Sequence, residues 1–144
     1  MKAFKFSLQV VLEQATNEKD QAAIRLKEIM DQIQRLEKQK EDLQLAIRNY
    51  EKKIEYCSTS EAFKEIKVYI EDLSKRIQLL DKRLRDLEPI KEERLEELKK
   101  AKIKESTFEK IKEKKYAQYL EDIKKDEDRN MEELVSYKVY TQIK

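Results

Sequence analysis

Small and apolar residues recur along the first third of the chain in steps of four and three. From Leu8 to Cys57 the series runs Leu8, Leu12, Ala15, Lys19, Ala22, Leu26, Ile29, Ile33, Leu36, Lys40, Leu43, Ile47, Tyr50, Ile54, Cys57. Only Lys19 and Lys40 interrupt it. After a short polar stretch the rhythm restarts as Phe63, Ile66, Ile70, Leu73, Ile77, Leu80, Leu84 and Leu87. Such spacing keeps one stripe facing a partner helix. Folding back near Thr59–Ser60 sets Ile54 against Ile66, Tyr50 against Ile70, Ile47 against Leu73, Leu43 against Ile77 and Leu36 against Leu84. The two residue numbers of every pair add to the same total, and each pair joins an a position to a d position, as antiparallel layers require. The pattern predicts an all-α chain: two long helices in one antiparallel coiled-coil hairpin, a single domain over residues 1–144. The first helix is placed at about 7–56, the turn at about 57–60 and the longer second helix at about 61–144. At ~1.5 Å per residue the first helix is roughly 75 Å long, so the expected object is a stiff two-helix rod.

Local signals refine this outline. Ser7 is a candidate N-cap, and Ser58 with Glu61 three residues later matches a capping box. Cys57-Ser58-Thr59-Ser60 offers hydroxyls that compete with helical hydrogen bonds. Pro89 lies inside the second helix, where proline costs on the order of 3 kcal/mol. Leu87, Lys91, Leu95 and Leu98 step 4,4,3, a stutter that locally unwinds a coil. With no Gly, Asn or Ser nearby to build a turn, a continuous helix kinked at Pro89 is favoured; a break into three helices is the alternative. Glu71–Lys75, Asp72–Arg76, Asp81–Arg85, Glu96–Lys100 and Glu121–Lys125 are i,i+4 pairs worth ~0.2–0.5 kcal/mol each. Near Lys19 the alanines and Glu105 predict a thin waist, between a strong seam (Leu26 to Leu87) and a terminal clamp of Leu8 and Leu12 near Phe108 and Ile111. The register puts Met1 opposite about Tyr119. The remaining ~25 residues, roughly 37 Å of helix, have no partner in the chain, yet they carry Leu120, Ile123, Met131, Leu134, Tyr137, Val139, Tyr140 and Ile143. An isolated helix with such a stripe is marginal in water.

Composition narrows the function. The 144 residues contain no Gly and no His, one Pro and one Cys, and 44% are charged. Without Gly there is no phosphate-cradling loop; without His there is no imidazole acid–base or metal chemistry. One Cys cannot build a metal cluster, and at a seam position Cys57 reads as a small core residue. No catalytic, cofactor-binding or metal-binding residue stands out, so the chain reads as a non-enzyme that needs no cofactor. The net charge of +2 selects neither nucleic acid nor an anionic membrane. The charge is uneven, however. Lys99 to Lys115 contains eight Lys against three Glu, and Glu121 to Glu133 contains seven acids against three bases. These runs are either solvated faces or patches that orient a partner. Lys110-Ile111-Lys112-Glu113-Lys114-Lys115-Tyr116 mixes bases with an aromatic, but its interleaved acid argues against nucleic acid. No stretch approaches the ~20 apolar residues needed to span a bilayer, and the start lacks a secretory signal, so a reduced, cytoplasmic setting is expected.

Two stretches resemble a known family. Phe4-Lys5-Phe6-Ser7-Leu8-Gln9-Val10-Val11-Leu12 is similar to the F-x-F-x-L-x-x-V-L start of the flagellar export protein FliJ family. Phe108-Glu109-Lys110-Ile111-Lys112-Glu113-Lys114-Lys115-Tyr116, followed by Tyr119, Glu121, Asp126, Arg129 and Met131-Glu132-Glu133, resembles that family's C-terminal pattern. Pro89 fits less well. The resemblance implies an antiparallel coiled coil like the central stalk of rotary ATP synthases. It implies a part of the flagellar type III export apparatus that binds the hexameric export ATPase, links it to the cytoplasmic part of the membrane export gate, and handles export chaperones. It would be a monomer when isolated, associated peripherally with the inner membrane at the flagellar base. By resemblance the gate-facing residues are Gln39, Leu43, Ala46, Tyr50, Tyr69 and Leu73; Tyr69, off the seam, is the strongest of them, whereas Leu43, Tyr50 and Leu73 also read as core. The ATPase-facing residues are Phe4, Phe6, Leu8, Tyr116, Tyr119, Leu120 and Ile123. The stalk protein of a virulence secretion system and a homodimeric coiled-coil scaffold remain alternatives.

Overall fold

The computed structural model describes residues 2–143, with side chains through Gln142; Met1 and Lys144 lie outside the described residues. Among these the chain is all-helical, with α1 (Gln9–Ile54) and the longer α2 (Ser60–Ile143). The helices pack against each other in two compact units. One, the turn unit, comprises Asp20–Lys99; the other, the terminal unit, holds the residues up to Lys19 and those from Lys100 onward.

In the turn unit the antiparallel register is directly visible. Tyr50 stacks on Tyr69 at 5.7 Å between centroids, and Lys40 Nζ lies 2.7 Å from Asp81 Oδ1. One partner's number falls as the other's rises, in nearly the register that the seams alone set. Lys40 is one of the two lysines that interrupt the first seam, and Asp81 reaches across the seam to it. Asp72 and Arg76 make the expected i,i+4 pair at 3.2 Å.

The turn spans residues 55–59, starting two residues and ending one residue earlier than the hydroxyl run suggests. Tyr56 N–H donates to the Lys53 carbonyl (3.1 Å) and Cys57 N–H to the Ile54 carbonyl (3.2 Å), tightening the last turn of α1. The cap of α2 is Thr59, not Ser58. Ala62 N–H donates to Thr59 Oγ1 at 3.2 Å and Phe63 N–H to the Thr59 carbonyl at 3.2 Å. A β-branched hydroxyl residue thus satisfies the first orphan donors, and Glu61 adds an acid to the positive end of the helix. Cys57 is half-buried in the turn, and its thiol donates to the Lys53 carbonyl at 3.4 Å.

α2 runs unbroken through Pro89, which removes the three-helix alternative. Pro89 is exposed, so water can reach the Arg85 carbonyl that lacks an intrahelical donor. The helix therefore continues through Pro89 at the cost of about one hydrogen bond and some propensity.

In the terminal unit α1 begins at Gln9 rather than at Ser7. The chain turns at Ser7–Leu8, where Gln9 N–H donates to the Phe6 carbonyl (3.0 Å) and Leu12 N–H to the Leu8 carbonyl (2.9 Å). Residues 2–6, before that turn, form a non-helical arm. Lys19, the other lysine of the seam, bonds Glu105 across it at 3.1 and 3.2 Å. Beside it Lys104 meets Glu18 at 3.1 Å. The Thr16 hydroxyl and the Lys19 ammonium hold the Glu105 carboxyl below its ordinary value of 4.5, against a smaller opposing push from burial.

The thin waist proves well covered. Ala15 is 1% exposed and Ala22 5%, whereas Leu36, Ile47 and Leu73 are half-buried. Leu12, Leu80 and Leu98 are buried as well, so coverage differs from layer to layer along the seam rather than with side-chain size.

Two outcomes follow from these interactions. Pro89→Ala should restore a helical hydrogen bond and raise stability by up to ~3 kcal/mol, read as a higher urea midpoint; a lower midpoint would show that Pro89 shapes the native path. Glu105→Gln should destabilise the chain at neutral pH. A carboxyl lowered by folding contributes stability above its unfolded value and loses it as pH falls through the folded one. The difference between wild type and variant should therefore shrink below pH 4.5, and a pH-independent difference in chemical denaturation would refute the assignment.

Candidate docking surfaces

All six residues expected on the gate-facing surface fall in the turn unit. Their surroundings differ. Tyr50 and Tyr69 lie nearly parallel, at 14°, and Lys53 Nζ sits 5.1 Å from the Tyr50 centroid. Tyr69 remains 56% exposed, so one edge of the stack is presented to solvent. Gln39 and Leu43 line a groove of about 420 Å³ with Asp42, Arg76, Leu79, Leu80 and Arg83. Gln39 and Arg83 also line a second groove, of about 480 Å³, together with Leu36, Leu87 and Ile90. Leu43, Ala46, Tyr50 and Leu73 are half-buried and Gln39 is exposed. The structure thus joins Tyr50 to Tyr69 and Gln39 to Leu43. The stack is accessible from sequence, since the register that opposes Tyr50 to Ile70 also puts Tyr69 beside it. The role of Leu79 and Arg83 carries no such signal, because both are off the seam.

All seven residues expected on the ATPase-facing surface fall in the terminal unit. Phe4 meets Tyr116 edge-on (5.1 Å, 73°) and Tyr119 at a tilt (5.4 Å, 49°). The two tyrosines, three apart on α2, lie 6.2 Å from each other. Tyr119 Oη donates to the Lys2 carbonyl at 2.6 Å, which straps the arm to α2. The expected partner of Tyr119, Met1, lies outside the described residues. Aromatic pairs of this kind contribute ~0.5–1.5 kcal/mol each beyond their buried area, enough to hold a short arm without helix. Phe6 and Ile123 are half-buried; Leu8 and Leu120 are exposed.

Beyond Ile123 every described side chain from Lys124 to Gln142 is exposed. Met131, Leu134, Val135 and Val139 follow i, i+3, i+4, i+8 spacing and share one face of α2. Tyr137 and Tyr140, 67% and 59% exposed, add aromatic surface. The side chain of Ile143 lies outside the described residues.

A family model described as Flagellar FliJ protein matches residues 4–144. The chain belongs to the flagellar FliJ family. No curated protein and no solved structure matches it. FliJ proteins are non-enzymatic components of the flagellar export apparatus, and every residue of both candidate surfaces lies inside the FliJ match. Among the described residues no helix is long and apolar enough to cross a membrane, and no group of His, Cys, Asp or Glu could hold a metal ion.

Tyr119→Phe removes one hydroxyl and leaves the aromatic contacts in place. It should cost about 0.5–1.5 kcal/mol, and it should speed amide hydrogen exchange at residues 2–8 while leaving the turn unit unchanged. Unchanged exchange in the arm would mean that the hydrogen bond does not hold it.

Proposed function

We propose that this FliJ-family chain is the coupling element of the export apparatus: its terminal unit docks on the hexameric export ATPase and its turn unit on the cytoplasmic part of the export gate. The observation that carries the reading is the exposed apolar face of α2 from Met131 to Val139. An exposed face of this kind on a soluble helix marks an interaction site, and a helix laid into a groove is read by anchors at this spacing. The Phe4–Tyr116–Tyr119 cluster, with Phe6, Leu8, Leu120 and Ile123, extends the same surface toward the arm. The Tyr50–Tyr69 stack suits the gate role, because a rigid aromatic with one edge in solvent is a favoured interface anchor. Leu43 and Gln39 beside their groove, with Ala46 and Leu73, complete that surface. The isolated chain is a monomer in this reading, since the two seams pack on each other within one chain. The same molecule handles export chaperones, and the chain works on the cytoplasmic side, held at the inner membrane through its partners.

A truncation tests the reading. Removing residues 124–144 takes away, among the described side chains, only exposed ones, so the helical signal and the melting of the rest should persist. The truncated chain should lose binding to the purified export ATPase and its stimulation of ATP hydrolysis. Tyr69→Ala should weaken gate binding and leave ATPase binding intact. Normal stimulation by the truncated chain, or loss of ring binding by a folded Tyr69→Ala variant, would reverse the assignment.

A further inference from the structure

The groove between the N-terminal arm and α2 contains charges that the docking surfaces described above do not use. Its volume is about 880 Å³, and Phe4, Phe6 and Tyr119 form apolar parts of its wall. Lys2, Lys5 and Lys115 also line it, against a single acid, Asp122. All three lysines are exposed, and among the described residues none is held in an ion pair. The walls are fixed in advance: Phe4 rests on two tyrosines, and Tyr119 is bonded to the Lys2 carbonyl. A preorganised apolar wall rimmed by unpaired cations favours a ligand that brings carboxylates beside an apolar side chain.

We infer that this groove receives an acidic segment of the protein partner, with carboxylates on Lys2, Lys5 and Lys115 and an apolar residue against Phe6 and Tyr119. The inference rests on the reading of the terminal unit as the ATPase-docking end and supplies the chemistry of what docks there. A lipid surface fits less well. Phe4 and Phe6 are half-buried on the protein and are not free to enter hydrocarbon. The acids of Glu121 to Glu133, which follow directly on α2, would meet an anionic bilayer with like charge.

The test uses the full chain and its triple charge reversal, Lys2→Glu with Lys5→Glu and Lys115→Glu. The strap accepts its hydrogen bond at the Lys2 carbonyl, so the reversal leaves that bond in place, and an unchanged melting curve verifies it. Two binding partners are titrated: the purified export ATPase, and a short oligoglutamate peptide bearing one leucine. Phosphatidylglycerol vesicles form a third arm. The wild type should bind peptide and ring more weakly as salt rises, and the reversal should weaken both by roughly tenfold or more. Ring or peptide binding that is unchanged in the folded variant overturns the groove while leaving the ring reading intact. A wild type that binds the peptide but not the ring removes the ring reading and leaves the groove. Stronger capture by the vesicles than by the peptide, or self-association that the reversal abolishes, assigns the groove a different occupant and overturns the inference.

Discussion

Two helices can shield only one stripe of each other from water, and the rest of this structure follows from that limit. Many seam residues, among them Leu36, Ile47 and Leu73, keep an edge in solvent, while only a few layers, at Leu12, Ala15, Ala22, Leu80 and Leu98, are covered. The same partial exposure makes charge tolerable inside the seam. Lys19 with Glu105 and Lys40 with Asp81 retain contact with water, at 28% and 13% and at 32% and 35% side-chain exposure. Neither pair bears the full desolvation cost of a buried ion pair. Each contributes modestly to stability. Each also has a geometric effect, because a lysine on one seam has its carboxylate only in one register, and slippage would leave both charges against apolar neighbours.

The limit also governs where partners can attach. A two-helix fold has no deep cleft, so recognition surfaces must come from what the seam leaves outside. In the turn unit that is the edge of the Tyr50–Tyr69 stack and the groove flanked by Gln39 and Arg83. In the terminal unit it is an arm that leaves the helical path, a cluster of three aromatic rings, and a helix face that α1 does not cover.

Most of the fold was legible because both seams obey one spacing rule and one reflection. That reflection carried the antiparallel register, the neighbours of Tyr50 and the place of Tyr119 near the start of the chain. The details that escaped it are short-range. Ser58 and Thr59 are both good caps, and only the path of the backbone decides that Thr59 takes the role. Ser7 yields to a turn at Ser7–Leu8 because the arm bends to seat Phe4 on α2. Asp81 had an equally placed partner in Arg85 on its own helix, and pattern alone could not choose Lys40 over it. Of the candidate surfaces, Tyr69 was visible as an off-seam ring, whereas Tyr50 also read as core and Phe4, Tyr116 and Tyr119 came from the family resemblance. The lysine-rimmed groove was not visible, since Lys2, Lys5 and Lys115 come together only once the arm is strapped down.

The turn between the helices has a practical consequence. Among the described residues none has positive φ and no peptide bond is cis, so the reversal at residues 55–59 is built from ordinary backbone, closed by Thr59 on one side and by two short backbone bonds on the other. Tyr56 is 86% exposed there. A connection with no strained residue and little buried surface tolerates lengthening at small entropic cost. Ser58 is therefore a site where a fluorescent domain or an affinity tag can be spliced into the chain, reporting on the intact molecule from a point that belongs to neither seam.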